Sequence, residues 1–359
     1  MDSMLNFVSA GHLRPGMVLA RDIYGIDPAT SKVVLLKEGQ KLSKAIIEKM
    51  INMDLSGVYI TGDGNFDREC QVVDNSTKKE VLDSIKEIYD LSNKATEALY
   101  AGSISHANDV VGKLVDTIVE NPNMYVDINS FRLYDDCTYN HSLGVTVISI
   151  AIGKTIGLSR DMLSQLALCA LLHDIGKMQV PIEIISKPGK LTNEEFFEIK
   201  KHPKMGQDIL KEKGLVPKVV IDGIVTHHEK VDGTEYPYGL KGKKIPLFGR
   251  IVACADVYDA LTSTRPYRTP ATPTEAIEYI MGGVGHQFDQ DIVKAFLKCI
   301  SPFPIGSCVN LSNGDTAVIV EQNPHCPMRP KIFRMENPSE VIDLFNDNLY
   351  FDVVIKSLC

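Results

Sequence analysis

The sequence predicts a mainly α protein, with a central multi-helix bundle between a small N-terminal α+β module and a small C-terminal β domain. Three observations predict it. Between about residues 105 and 300, apolar residues recur at helical spacing in 108–119, 141–156, 160–173, 216–228, 248–262, 274–281 and 291–300. Before residue 70, short β-like runs alternate with turns. After Pro302, β-rich runs alternate with Gly, Asn and Pro.

In chain order, "GMVLARDIYG" and "KVVLLKEGQKLS" read as strands, "SKAIIEKMINM" as a short helix capped by Ser43, and "GVYI" as a further strand. These form the module at 1–70. The polar, Gly-containing stretch "TGDGNFDRECQ" (61–71) marks its boundary. From Ser76 to about Ala101, Val81, Leu82, Ile85, Ile88, Tyr89 and Leu99 fall on one face. This predicts one amphipathic linker helix within 71–104, and the 76–101 helix is the candidate homodimer contact. The bundle occupies 105–302, and "LTNEEFFEIKKH" within it carries the capping-box pair Thr192 and Glu195. In the tail, 303–359, "SCVNLSNG", "TAVIVEQN" and "KIFRM" supply strands.

Composition narrows the function. The chain has 359 residues, 44% hydrophobic and 23% charged, as expected of a globular protein with a sizeable core. A net charge of −8 and the absence of Trp argue against binding a nucleic acid polymer, so an anionic ligand needs a local basic pocket. The eight cysteines form no CxxC pair, and Cys169 and Cys254 lie in apolar runs, which fits a reducing compartment. No secretory leader is recognisable, and the apolar runs near 143–152 and 165–172 are too short to insert in a membrane. The expectation is a cytoplasmic protein.

Five of the nine histidines lie between 141 and 228, each at or near a predicted helix end. One His beside an apolar stretch is ordinarily a hydrogen-bonded structural residue. His141, His173, His202, His227 and His228, with Asp174 beside His173 and Asp256 inside "GRIVACADVYDAL", are harder to read that way. Bundle cores build metal sites from inward-facing side chains on different helices. An unpaired buried carboxylate is costly, and a divalent cation removes that cost. Imidazoles bind as terminal ligands while a carboxylate can bridge two ions, so the His173-Asp174 pair offers one of each. Two ions so bridged can clamp a phosphodiester for in-line attack.

The strings "HDIGK", "HHEKVDGTEYPYGLKGKKIPLFGRIVACADVYDALTSTRPYR" and "GHQFDQDIVKAF", spread over Asp136 to Phe296, resemble the HD-GYP family, the bacterial subset of HD phosphohydrolases that degrades cyclic di-GMP. The stretch "LRPGMVLARDIY" is similar to a small module that often precedes that domain. The resemblance implies an HD-type bundle with metal ligands at His141, His173, Asp174, His202, His227, His228 and Asp256, Asp174 being the bridge. It places Lys177 at the scissile phosphate or the departing 3′-oxygen, and Arg265 and Arg268 on phosphate, with Tyr236 in the substrate-binding loop. The implied reaction is hydrolysis of cyclic di-GMP to 5′-pGpG, and on to GMP, through a metal-bridging hydroxide. Two divalent ions are implied, iron or manganese first, with Ni or Zn also compatible with the ligands. Charge agrees independently: Lys241, Lys243, Lys244, Arg250, Arg265 and Arg268 fall within 28 residues. The three lysines equally fit a solvated loop.

Two positions depart from the family pattern. Members with three metals resemble this chain but carry Glu where Cys137 stands here, next to Asp136, which favours two ions over three. The family's Gly-Tyr-Pro reads Glu235-Tyr236-Pro237, and a Glu is expected to be strained where Gly permits positive φ or close approach. Two rival readings stand beside the phosphodiesterase. One is a cyclic di-GMP receptor or scaffold that contacts other signalling proteins through the Glu235 loop. The other is an HD phosphohydrolase acting on another cyclic dinucleotide, such as mixed cyclic GMP-AMP.

Overall fold

The computed structural model describes residues 4–9, 13, 15–20, 23–25, 33–52, 57–62, 75–91, 97–120, 137–187, 189–214, 216–263, 270–303, 307–323, 326–335 and 337–358. Arg265, Arg268 and Asp136 lie outside them.

The N-terminal segment holds β1 (Met4–Ser9), β2 (Ile23–Gly25), β3 (Val33–Leu36), α1 (Lys44–Asn52) and β4 (Gly57–Gly62). Strands β1 and β4 pair antiparallel, as do β2 and β3. Ser43 Oγ accepts from Ile46 N at the start of α1. Leu19, Leu42, Ile47, Met50, Val58 and Ile60 share a small core of their own. Of the strand expected over "GMVLARDIYG", Val18 and Leu19 make isolated bridges and Ile23–Gly25 forms β2, while Arg21 and Asp22 lie outside the described residues.

Next come α2 (Asn75–Leu91) and α3 (Glu97–Glu120). They run antiparallel, joined by Lys113 to Glu80 (2.9 Å) and Ser103 to Glu87 (2.8 Å). This corrects the single linker helix. Val81, Ile85 and Ile88 are fully buried, in the same core as α4 (Cys137–Thr155) and α5 (Arg160–Leu172). The apolar stripe proposed as a homodimer contact is therefore covered within the chain.

That core continues through α8 (His202–Lys213), α9 (Lys218–Thr226), α10 (Leu247–Thr262), α11 (Pro273–Gly282) and α12 (Gln290–Cys299). Between α5 and α8 lie a 3-10 turn at Ile175–Gln179, α6 (Ile182–Ile185) and α7 (Asn193–Ile199). Helix α4 packs on α5, α10 and α12, and α9 packs on α5, α8 and α10. Local signals set the boundaries. Ser159 caps α5 by accepting from Met162 N, and the Thr192–Glu195 capping box opens α7 as expected. No helix among the described residues is long and apolar enough to cross a membrane.

The tail forms a five-stranded antiparallel sheet in the order β8-β7-β6-β5-β9, from β5 (Cys308–Leu311), β6 (Thr316–Glu321), β7 (Lys331–Arg334), β8 (Asn337–Asp343) and β9 (Ile355–Leu358). Sequence patterning finds the three inner strands and misses the two edges. Edge strands tolerate proline and polar residues, and β8 carries both in "NPSEVID".

Candidate metal centre

The seven predicted ligand positions are held by helices, mostly at their ends. His173 is the C-cap of α5, with Asp174 next to it. His202 opens α8, His227 is the C-cap of α9, and His228 follows it. His141 lies in the second turn of α4, and Asp256 in the middle of α10. Two helix C-termini, those of α5 and α9, thus point their negative dipole ends at one place, which favours a cation there.

Three of the rings are tied the same way. Nδ1 of His173 lies 2.7 Å from Ala170 O, Nδ1 of His202 lies 2.7 Å from Ile199 O, and Nδ1 of His227 lies 2.6 Å from Ile224 O. A nitrogen facing a carbonyl oxygen carries the proton, so each Nε2 presents a lone pair inward. The lone pairs then have no protein donor to meet. Nε2 of His202 and Nε2 of His227 face each other at 3.4 Å, and His173 Nε2 and Asp174 Oδ1 are buried without a hydrogen-bond partner. Asp174 Oδ1 lies 3.2 Å from His202 Nε2, and Oδ2 lies 3.3 Å from His173 Nε2. Facing lone pairs beside an orphaned carboxylate oxygen are unfavourable by themselves and fit a cation between them.

The donor atoms form two groups, Asp174-His202-His227-His228 and His141-His173-Asp174, each with its atoms within 4.8 Å of one another. Asp174 belongs to both. Asp256 joins through His141, its Oδ1 3.1 Å from His141 Nε2. This donor set of imidazoles and carboxylates suits a divalent transition metal, so the residues fit a metal centre.

Electrostatics treats these side chains differently. Burial pushes the His228 imidazole down to about 3, and burial with repulsion from neighbouring histidines holds His227 far below its usual range, so both are neutral. Burial acts to raise the Asp174 carboxyl, but the Lys177 ammonium overcomes it and keeps it well below the carboxylate range. Asp256 behaves likewise, with His141 overcoming burial. His141 is the exception among the rings: burial lowers it, yet Asp256 and Asp259 raise it to about 10.

Asp259 escaped the sequence reading. Its Oδ2 accepts from His141 Nδ1 at 2.7 Å and from Ser263 Oγ at 2.9 Å, and it is buried. Gly144, across on α4, makes room for it, since a Cβ there would meet the Asp259 carboxylate, with Cγ at 3.0 Å. A signal was present: Asp259 follows Asp256 by three residues, on the same helix face. Replacing Asp259 with Asn is expected to weaken manganese binding by about tenfold or more, the usual cost of disturbing the carboxylate behind a ligand histidine. Calorimetric titration of the metal-free variant measures it, and wild-type affinity would remove Asp259 from the site.

The other predicted residues divide. Lys177 Nζ donates to Asp174 Oδ2 at 2.5 Å. Tyr236 stacks near His228, ring centroids 5.0 Å apart at 34°. The expected basic cluster is partly drawn away: Arg250 donates to Asp289 (2.7 Å) and Ile245 O, and Lys243 donates to Asp291 (2.8 Å). Glu235, expected to be strained, accepts from Lys200 and Lys230, each at 3.2 Å. Gly233 and Gly239, on either side of it, take the left-handed φ of 77° and 65°.

Comparison with known proteins agrees with this geometry. Residues 128–292 match the HD domain family. A cyclic di-GMP phosphodiesterase of Pseudomonas aeruginosa, PA4108, is 37% identical over 247 residues, covering 67% of this chain and 59% of the relative. One from Thermotoga maritima is 39% identical over 173 residues, 48% of this chain and 47% of the relative. A 3′3′-cGAMP-specific phosphodiesterase of Vibrio cholerae is 42% identical over 131 residues, 36% of this chain and 30% of the relative. The chain thus spans less than two thirds of each of these relatives. Among solved structures, Bd1817, an HDG"Y"P protein of Bdellovibrio bacteriovorus, superposes with a TM-score of 0.53 at 17% identity, over 81% of this chain and 98% of that one, which is a likeness of fold. With the HD pair at a helix end and the ring of histidines it completes, residues 128–292 form an HD domain, and the chain is similar to the HD-GYP phosphodiesterases among these relatives.

Proposed function

We propose that the chain is a metal-dependent phosphodiesterase that hydrolyses a cyclic dinucleotide, cyclic di-GMP first, to 5′-pGpG and on to GMP. One observation carries the reading: two donor groups share Asp174, with inward lone pairs that lack protein partners. His202, His227 and His228 would hold one divalent ion and His141, His173 and Asp256 the other, with Asp174 between them; iron or manganese is the expected metal. Ions held there would supply Lewis-acid charge and lower the pKa of water.

The chain's own groups do the rest. The backbone-tethered Nδ1 atoms fix the tautomers, and the buried carboxylates stay ionised. Lys177, about a third exposed, sits where its ammonium can turn from Asp174 to a phosphoryl or leaving 3′-oxygen. Tyr236 would form a wall of the substrate site, and Arg265 and Arg268, by their motif, would take phosphate. Cyclic GMP-AMP is the second candidate substrate, because relatives of comparable identity are cGAMP-specific.

The test uses anaerobically purified protein, with metal content by elemental analysis beside turnover of cyclic di-GMP and 3′3′-cGAMP by chromatography. About two metals per chain with pGpG or GMP appearing supports the proposal. Metal without turnover of either dinucleotide replaces it with the receptor reading. Lys177→Ala is expected to keep the metal and lose rate by about 100-fold. An unchanged rate would take Lys177 out of the chemistry.

A further inference from the structure

The stretch 229–242 directly follows the His227-His228 pair, and backbone bonds hold its two ends. The buried Glu229 carboxylate accepts from Tyr238 N (2.7 Å) and Leu240 N (3.0 Å). Val231 N and Asp232 N donate to Gln287 O and His286 O, and Gly242 N donates back to Val231 O. Asp232 Oδ1 accepts from Thr234 N at 2.9 Å. Between Thr234 and Tyr238, the contacts that hold the loop come from side chains. Glu235 reaches Lys200, the C-cap of α7, and Lys230. The Lys200 ammonium lies 4.7 Å above the Tyr236 ring and 5.0 Å from the Phe196 ring. The Tyr236 ring also lies near His228.

These groups form a chain of contacts: Phe196, Lys200, Tyr236, His228. A cation over a ring is held by the ring's quadrupole, but a lysine about a third exposed is held weakly by that alone. Glu235 supplies the second hold. Burial acts to raise its carboxyl, and Lys230 and Lys200 overcome this and keep it below the usual range, so it is charged. We infer that Glu235 is a positioning residue: by pinning the Lys200 ammonium over the Tyr236 ring, it keeps Tyr236 against His228 and so fixes the orientation of that imidazole. Glu235 lies outside both donor groups and would act through the Tyr236 ring. The inference rests on reading His228 as a metal ligand.

The chain of contacts predicts non-additivity. Glu235→Gln removes the charge and keeps the shape. Lys200→Met keeps an unbranched stem over both rings and removes the ammonium. Each is expected to weaken manganese binding to metal-free protein by about fivefold, read by calorimetry. The double variant should be no weaker than the worse single one, because both break the same link. Lys230→Met should stay within about twofold of wild type, since Lys230 is not over the ring, and Glu235→Asp should recover part of the loss. Manganese affinity unchanged in Glu235→Gln overturns the inference, and so do effects of Glu235→Gln and Lys200→Met that add. If Glu235→Gln does not fold, Lys200→Met decides: unchanged affinity there also overturns it. Wild-type protein that binds manganese but leaves both dinucleotides intact sinks the phosphodiesterase reading while the cycle still tests Glu235. Wild-type protein that binds no manganese removes both.

Discussion

Replacing Asp174 with alanine is expected to abolish metal binding and turnover together. Asp174 is the one residue common to both donor groups, so its loss removes a ligand from each. Turnover should fall by about three orders of magnitude or more, about 4 kcal/mol of lost transition-state stabilisation. The metal-free protein should not suffer. Asp174 is a nearly fully buried carboxylate, and Lys177, its cationic partner at 2.5 Å, is exposed enough to return to water. Deleting a desolvated charge whose partner can resolvate changes stability by about 1 kcal/mol or less, in either direction. The contrast appears in thermal melts. Saturating metal at 100 times its dissociation constant would stabilise the wild type by about 2.7 kcal/mol and leave the variant unmoved. If Asp174→Ala retains stoichiometric metal, the shared-bridge arrangement is wrong.

Gly176→Ala should be nearly as damaging, by a different route. A Cβ on Gly176 would sit within van der Waals distance of the His202 carbonyl oxygen and 2.5 Å from Gly206 N. Both are backbone atoms of α8 and cannot rotate away, so the whole start of that helix must shift. His202 moves with it, and its 3.2 Å approach to Asp174 is lost. Overpacking against side chains costs about 1–3 kcal/mol, and a backbone collision belongs at or above the upper end. We expect a stability loss of about 3 kcal/mol with manganese binding weakened by about tenfold or more. Gly102→Ala in α3 is the matched control. Its Cβ meets nothing within 4 Å, and helix propensity alone predicts a gain of about 0.5–1 kcal/mol. Circular-dichroism melts of the two variants, with metal titrations, decide it; equal stability would mean that the 3-10 turn and α8 can separate without cost.

Much of this was readable from residues. The bundle helices, the capping box at Thr192, and the histidines at helix ends follow from periodicity and residue type. What was hidden depends on partners that sequence does not name. The Nδ1 tethers leave no trace, because the carbonyls of Ala170, Ile199 and Ile224 are available whatever the side chain. Gly176 and Gly206 matter only because two segments 26 residues apart in the chain lie against each other at His202. The stripe of Val81, Ile85 and Ile88 was seen, but its partner was misassigned, since an apolar face does not say whether it meets its own chain or a copy. Arg250 and Lys243 looked free for phosphate until Asp289 and Asp291, some 40 residues on, proved to be their partners.

The tethered rings also separate two properties that are usually entangled. The direction of each lone pair is set locally, by a ring leaning on a carbonyl three residues back, within one helix end for His173 and His227 and across the α7–α8 junction for His202. The distances between lone pairs are set elsewhere, by how closely α5, α8 and α9 approach. Ile175 and Ile224 act as shims in that approach, their methyl groups resting near Gly206 of α8. A metal centre there would work as a caliper whose jaws keep their angle while their gap is set by core residues outside the donor set. Lengthening or trimming those shims should change which divalent ion is preferred, by its bond length, before it changes whether one binds at all.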